Sequence, residues 1–266
     1  MIRYIYLLLI LLVFLPGKAQ NTASKNVITH TLEAPQLEGT RKLFIYLPFN
    51  YKTTDKKYPV IYMHDAQNLF DRQTAYSNEW CVDETLDSLK AQTIIVGIAH
   101  GESNRIKELT PYPNTQYGGG GADAYLDFLV NTVKPYIDSN YRTKTNKDDT
   151  YIFGSSLGGL VSYYAFLKYP DVFGGAGVFS PSFWFNNSIY TITENTPEIN
   201  GRIYFMAGEA ESKNMVADLY KMEGLVRKKI NSTGQLKCKT VPGGEHNELL
   251  WAQEFAEAYS WLVKEQ

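Results

Sequence analysis

Residues 150–160, TYIFGSSLGGL, set two serines between an apolar run and a pair of glycines. A serine hydroxyl becomes a nucleophile when a tight strand-to-helix turn lifts it above a sheet. The G-x-S-x-G pattern permits that turn, because a Cβ two residues to either side would crowd it. Ser156 has Gly154 and Gly158 at those positions, whereas Ser155 would need a glycine where Phe153 stands. A helical stretch follows and runs to Tyr169, just before Pro170. Its first turn would place free N–H groups and the positive end of the helix dipole beside the hydroxyl. The competing reading is a packing turn of small residues. Ser156 is therefore the candidate nucleophile and Ser155 its neighbour.

Such a serine needs a base within hydrogen-bond reach. The chain has four histidines, His30, His64, His100 and His246. On sheets that carry this turn, an acid and then the histidine follow the serine along the chain. That order selects His246, in the glycine-rich stretch PGGEHNELLW. A carboxylate must hold the imidazole tautomer and stabilise the imidazolium, and it is expected just after RIYFMAG (202–208). Glu211, three residues past Gly208, can turn back toward His246 and is favoured. Glu209 is the alternative acid, and a Ser–His dyad without an essential acid is another. An oxyanion hole needs two aimed donors. The Leu157 amide at the helix start supplies one, and the Gln67 amide in the DAQN loop after VIYMH is the expected second. His64 and Asp65 are read as ordering that loop. Together with His100 they match no metal-ligand spacing, so no metal or cofactor is expected.

Several elements must position these groups. Strand-like runs at 27–33, 41–47, 58–64, 93–99, 150–154, 175–179, 202–208 and 236–241 alternate with helical patterns at 82–89, 122–137, 157–168, 215–230 and 247–264. Many of the runs are continuously apolar, as strands buried on both faces are. The alternation predicts one α/β domain over residues 20–266, with a mostly parallel sheet of about eight strands and helices on both faces. The first two strands should form an antiparallel edge hairpin. In open sheets of this kind ligands sit beyond the carboxyl ends of the strands, which is where His64, His100, Ser156, Glu211 and His246 all fall.

The bulk composition narrows the function further. The 266 residues carry 26 Lys+Arg and 28 Asp+Glu with no basic block, which speaks against nucleic acid. Twenty tyrosines fit either core packing or a cleft for sugars and aromatic acyl groups. Residues 1–19 read as a signal peptide, with Arg3, an apolar run over 4–15, and Gly17 and Ala19 before the cut. An exported protein without stable membrane insertion is the expectation, with an uncleaved anchor as the alternative. Cys81 and Cys238 show no metal-site pairing, and their spacing does not decide whether they bond.

Seven stretches together resemble the putative-esterase family of the α/β-hydrolase superfamily: MHDAQNLFD (63–71), EWCVDETLDSL (79–89), NRIKELTPY (104–112), GGGGADAYLDFL (118–129), IFGSSLGGLVSYY (152–164), FSPSFWF (179–185) and GGEHNELLWAQEF (243–255). That family includes feruloyl esterases, siderophore esterases, the esterase D type and mycolyltransferases. The resemblance implies the α/β-hydrolase fold, a serine carboxylesterase using Ser156, His246 and Glu211, an oxyanion donor at Gln67, and a small-molecule or carbohydrate-linked ester as substrate. It leaves open acyl transfer to an alcohol or sugar, a siderophore lactone as substrate, and a silent binding protein on the same scaffold. Family members often have Asp-Gly where this chain has Asp65-Ala66. Trp80 and Trp184 are candidate acyl-pocket walls, and His64 and Arg105 are further candidate substrate contacts. Arg105 and Glu108 could equally form a structural ion pair. Gly118–Gly121 lacks the G-K-[ST] of a phosphate loop and reads as a flexible lead into the following helix.

Overall fold

A computed structural model describes residues 21–263; the signal-peptide expectation lies outside them. Eight strands form one sheet: β1 (Val27–Ala34), β2 (Gly39–Tyr46), β3 (Val60–Met63), β4 (Ile94–Ile98), β5 (Thr150–Ser155), β6 (Gly175–Phe179), β7 (Arg202–Gly208) and β8 (Leu236–Val241). Their spatial order is β1-β2-β4-β3-β5-β6-β7-β8. β1 and β2 pair antiparallel as the expected edge hairpin, β2 also runs antiparallel to β4, and every other pairing is parallel.

Eight α-helices accompany the sheet among the described residues: α1 (Val82–Leu89), α2 (Arg105–Glu108), α3 (Ala122–Phe128), α4 (Lys134–Asn140), α5 (Leu157–Lys168), α6 (Ser188–Asn195), α7 (Met215–Val226) and α8 (Glu248–Leu262). One turn of π-helix, Leu129–Val133, joins α3 to α4. The single helix expected over 122–137 is therefore one rod with a widened turn that ends at Asn140.

Successive residues of the central strands feed opposite faces of the sheet, as a period of two requires. Val60 and Tyr62 join a core with Ile152, Phe205 and the buried sides of α3 to α7. Ile61 and Met63 join the other, with Phe153, Phe179 and the buried sides of α1 and α8. Ten residues of α5, from Leu157 to Phe166, are buried, so this helix is apolar almost all round. Two helices escaped the sequence reading. In α6, SIYTITEN, the β-branched residues weaken the helical signal, and α2 is a single turn. The expected 215–230 helix stops at Val226.

Parallel register aligns the strand ends along one rim. Met63 lies opposite Phe153, Ser155 opposite Phe179, Phe179 opposite Met206, and Gly208 opposite Val241. Whatever follows β3, β5, β6, β7 and β8 is delivered to that rim.

Candidate active site

Ser156 sits between β5 and α5 with φ 58° and ψ −122°. For a non-glycine residue this is sparsely populated backbone, and it costs about 1–3 kcal/mol. Hydrogen bonds on both sides hold it: Ser156 N donates to Phe179 O at 3.0 Å, and Ser182 N donates to Ser156 O at 3.1 Å. A Cβ on Gly154 would lie 2.7 Å from the carbonyl carbon and oxygen of Gly158. The strand end and the first helical turn therefore touch backbone to backbone. Ser156 Oγ faces Ser182 Oγ at 3.4 Å and lines a cleft of about 630 Å³ that His246 also lines.

Glu211 and His246 meet because two loops cross at glycines. A Cβ on Gly208 would fall 2.2 Å from Gly244 O, and Ala210 N donates to that same oxygen at 2.8 Å. Gly243, at φ 68°, turns the second loop. The crossing carries His246 back over the end of β7, where its Nδ1 lies 2.7 Å from Glu211 Oε2. Glu211 Oε1 accepts from Gly208 N at 2.5 Å and from Ser180 Oγ at 2.6 Å. The Glu211 side chain is fully buried and that of His246 is 35% exposed. With Nδ1 donating to the carboxylate, Nε2 is left as the acceptor, the tautomer a general base requires. Glu209 is elsewhere, exposed and accepting from Thr240 Oγ1 at 2.8 Å.

The loop after β3 lies beside this turn, tied by His64 N donating to Phe153 O at 3.3 Å. Asp65 takes a left-handed conformation, φ 54°, and starts the single turn Ala66–Asn68. The Ala66 methyl occupies space left by Gly97, whose own Cβ would lie 2.9 Å away. Among the described residues the Leu157 and Gln67 amides donate to no protein acceptor. Gln67 is braced through its other groups, its carbonyl accepting from Thr74 Oγ1 at 2.6 Å and its Oε1 from His100 N at 3.3 Å.

Asp65 clamps Arg105 with both oxygens, Nε to Oδ1 at 2.7 Å and Nη2 to Oδ2 at 2.8 Å. Burial pushes the Asp65 carboxyl up, but the Arg105 hydrogen bonds and charge outweigh it and hold the group below its ordinary value. Burial works against the Arg105 charge, and Asp65 overcomes it, so the guanidinium sits above its ordinary value. Arg105 lines the cleft. The Arg105–Glu108 ion pair does not form. Glu108 pairs with Arg41 instead, while Arg105 is taken by Asp65.

Two further expectations need correction. His64 is 1% exposed and bonds Tyr125 Oη through Nδ1 at 2.7 Å, so it braces the loop from beneath instead of facing substrate. Burial lowers its pKa to about 4, with Asp65 opposing and Arg105 assisting, and it is neutral. Trp80 is 2% exposed and packs edge-on against Phe153, Phe179 and Trp251. It is core, not pocket wall. Trp184 is 50% exposed and stands edge-on to Tyr117 at 5.9 Å, outside the lining of the cleft. Cys81, which precedes α1, and Cys238, in β8, are both free thiols. Gly118, Gly119 and Gly120 all have positive φ, and Gly118 and Gly119 pair antiparallel with Asn114 and Pro113 in a short ladder before α3. The sequence reading missed Ser180, Ser182 and Trp251. The pairing of SPS with the end of a strand next to the nucleophile's was the available signal.

Residues 34–262 match the family described as "Putative esterase". The chain belongs to that family. It is a carboxylic ester hydrolase of the α/β-hydrolase type. The esterase is 28% identical over 239 residues to an uncharacterized Bacillus subtilis protein, YbbA, covering 84% of this chain and 93% of that protein. It is 34% identical over 86 residues to a siderophore enterobactin esterase of Emericella nidulans, covering 32% of this chain and 28% of that protein. The crystal structure of the BES protein from Bacillus cereus is similar in fold, with a TM-score of 0.71 at 20% identity, covering 92% of the esterase and 98% of that chain.

Proposed function

We propose that the esterase cleaves its substrates through an acyl-enzyme on Ser156. His246 takes the proton from Oγ as the hydroxyl attacks the ester carbonyl, and returns it to the leaving alcohol. The same imidazole then activates water to release the acid. Glu211 fixes the tautomer of His246 and stabilises the imidazolium while it carries the proton. The Leu157 and Gln67 amides, free of protein acceptors among the described residues, receive the oxyanion. In this reading Ser156 Oγ leaves Ser182 and turns to Nε2 when substrate enters the cleft. The observation that carries the proposal is the 2.7 Å contact between His246 Nδ1 and Glu211, made at the rim of the cleft that Ser156 lines.

The cleft walls supply Asn68, Tyr76, Ser77, His100, Arg105 and Asn247. These are hydrogen-bonding groups suited to an ester whose acid or alcohol half is rich in oxygen. The names of the relatives, which include feruloyl and siderophore esterases, fit such substrates. Residues 1–19 support export, and the domain reading of 20–266 as one catalytic unit goes with it.

Ser156→Ala should abolish turnover of p-nitrophenyl acetate and labelling by a fluorophosphonate probe, with an unchanged circular dichroism spectrum. Retained turnover in that variant would sink the proposal.

A further inference from the structure

Behind Glu211 lies a two-residue relay that the triad description does not use. Ser180 follows β6 and is fully buried, with a left-handed φ of 44°. Its hydroxyl accepts from the Trp251 indole Nε1 at 2.8 Å and donates to Glu211 Oε1 at 2.6 Å. The direction is forced. An indole N–H can only donate, so the single proton of the hydroxyl is turned onto the carboxylate. Trp251 also stands edge-on to the His246 ring, with centroids 5.1 Å apart and planes at 87°. One side chain of α8 therefore touches the imidazole directly and the acid through Ser180.

We propose that Ser180 and Trp251 are positioning residues for the acid–base pair. This inference rests on the acyl-enzyme reading of the same site. The relay gives Glu211 a second donor beside the Gly208 amide. It keeps the carboxylate aimed in a fully buried position, and leaves Oε2 for His246. A serine tolerates the left-handed backbone here because that conformation directs its hydroxyl between the indole and the acid.

The informative variant is Ser180→Gly. Glycine adopts positive φ freely, so relief of the backbone offsets part of the cost of leaving the Trp251 N–H and Glu211 Oε1 short of a partner. The variant should stay folded, melting at most about a few degrees below the wild type. Its kcat on p-nitrophenyl acetate should fall on the order of 10- to 100-fold with KM within about twofold, the loss expected for one hydrogen bond to a charged group. Trp251→Phe keeps the ring and loses the N–H, and should show a smaller loss of the same kind. The double variant should be no slower than Ser180→Gly alone, because the indole acts through the hydroxyl. The low-field proton resonance of His246 Nδ1–H should shift or broaden in both single variants. Wild-type kcat in Ser180→Gly, or losses that multiply in the double variant, would overturn the relay. Failure of the acyl-enzyme reading registers separately, as turnover surviving in Ser156→Ala.

Discussion

Gly154→Ala separates the geometry of the nucleophile turn from the motif that announces it. The added Cβ would sit 2.7 Å from the carbonyl carbon and oxygen of Gly158 and 3.0 Å from its Cα. Carbon atoms in good contact are about 3.5–4.0 Å apart, so the deficit at the carbonyl carbon is roughly 0.8 Å or more. The opposing atoms are backbone in the first turn of α5, and no side-chain rotation relieves them. Either β5 or the start of α5 must move, and Ser156 Oγ and the Leu157 amide move with it. Overpacking of this kind costs about 1–3 kcal/mol, and displacing a reacting group by about 1 Å costs on the order of 100-fold in rate. Gly158→Ala is the internal control. Its Cβ would lie 3.3 Å from His64 Cβ and 3.5 Å from Asp65 Oδ2, both side-chain atoms. Alanine in a helix gains up to about 1 kcal/mol over glycine, which offsets much of that contact. Urea denaturation and fluorophosphonate labelling rates on both variants provide the test. Gly154→Ala should lose stability and at least about tenfold in labelling rate, and Gly158→Ala should stay within a few-fold of wild type. If Gly158→Ala proves the more damaging, or Gly154→Ala labels normally, the backbone-contact argument is wrong.

Three further outcomes are expected. Glu211→Gln should lower kcat by on the order of 10²- to 10⁴-fold, while Glu209→Gln, at an exposed residue bonded to Thr240, should stay within about twofold; the reverse ranking would move the acid to Glu209. His64 is buried neutral with its pKa lowered to about 4, so the unfolded chain binds its proton first as pH falls. Stability from this group is full above about pH 6.5 and is lost between there and about pH 4, by up to roughly 3 kcal/mol. His64→Gln should flatten that part of the stability–pH curve, and an unchanged slope in the variant would refute the assignment. Trp80→Ala should destabilise by about 3–5 kcal/mol with little change in KM at a temperature where it is folded; a selective rise in KM would return Trp80 to the substrate pocket.

Most of the sheet was legible because its strands announce themselves locally. VIYM and IIVGI are uninterrupted apolar runs bounded by polar stretches, and all eight strands fall where strand-like runs were read. Ser156 and His246 stand out as candidates for a different reason, since a fixed spacing and a chain order pick one residue of each type. What stayed illegible is what depends on side-chain direction. Trp80 and Trp184 read alike as aromatics near covering elements, yet one is 2% and the other 50% exposed. Arg105 and Glu108 are one turn apart and of opposite charge, the usual signature of a helical pair. Each found a stronger partner on another element, Asp65 for the one and Arg41 for the other. Local spacing ranks only local partners, and in a sheet protein the competing partners arrive from neighbouring strands.

The candidate acid shows where local reading stops being enough. Glu209 and Glu211 lie on the same short loop, and sequence distance alone could only argue that the farther one has more room to turn back. The structure supplies the missing constraint in a pair of glycines. Gly208 and Gly244 must both lack a Cβ for the loops after β7 and β8 to cross, since a methyl at Gly208 would overlap Gly244 O at 2.2 Å. The crossing brings the Gly208 amide beneath Glu211 Oε1. Glu209 is held outside it, its amide donating to Val241 O at 3.0 Å and its carboxylate turned to Thr240. Which of the two carboxylates reaches His246 is thus decided by backbone packing at glycines on two separate loops. A substitution at Gly208 or Gly244 should therefore separate Glu211 from His246 and lower kcat on p-nitrophenyl acetate as Glu211→Gln does. Wild-type kcat in Gly208→Ala would refute the crossing argument.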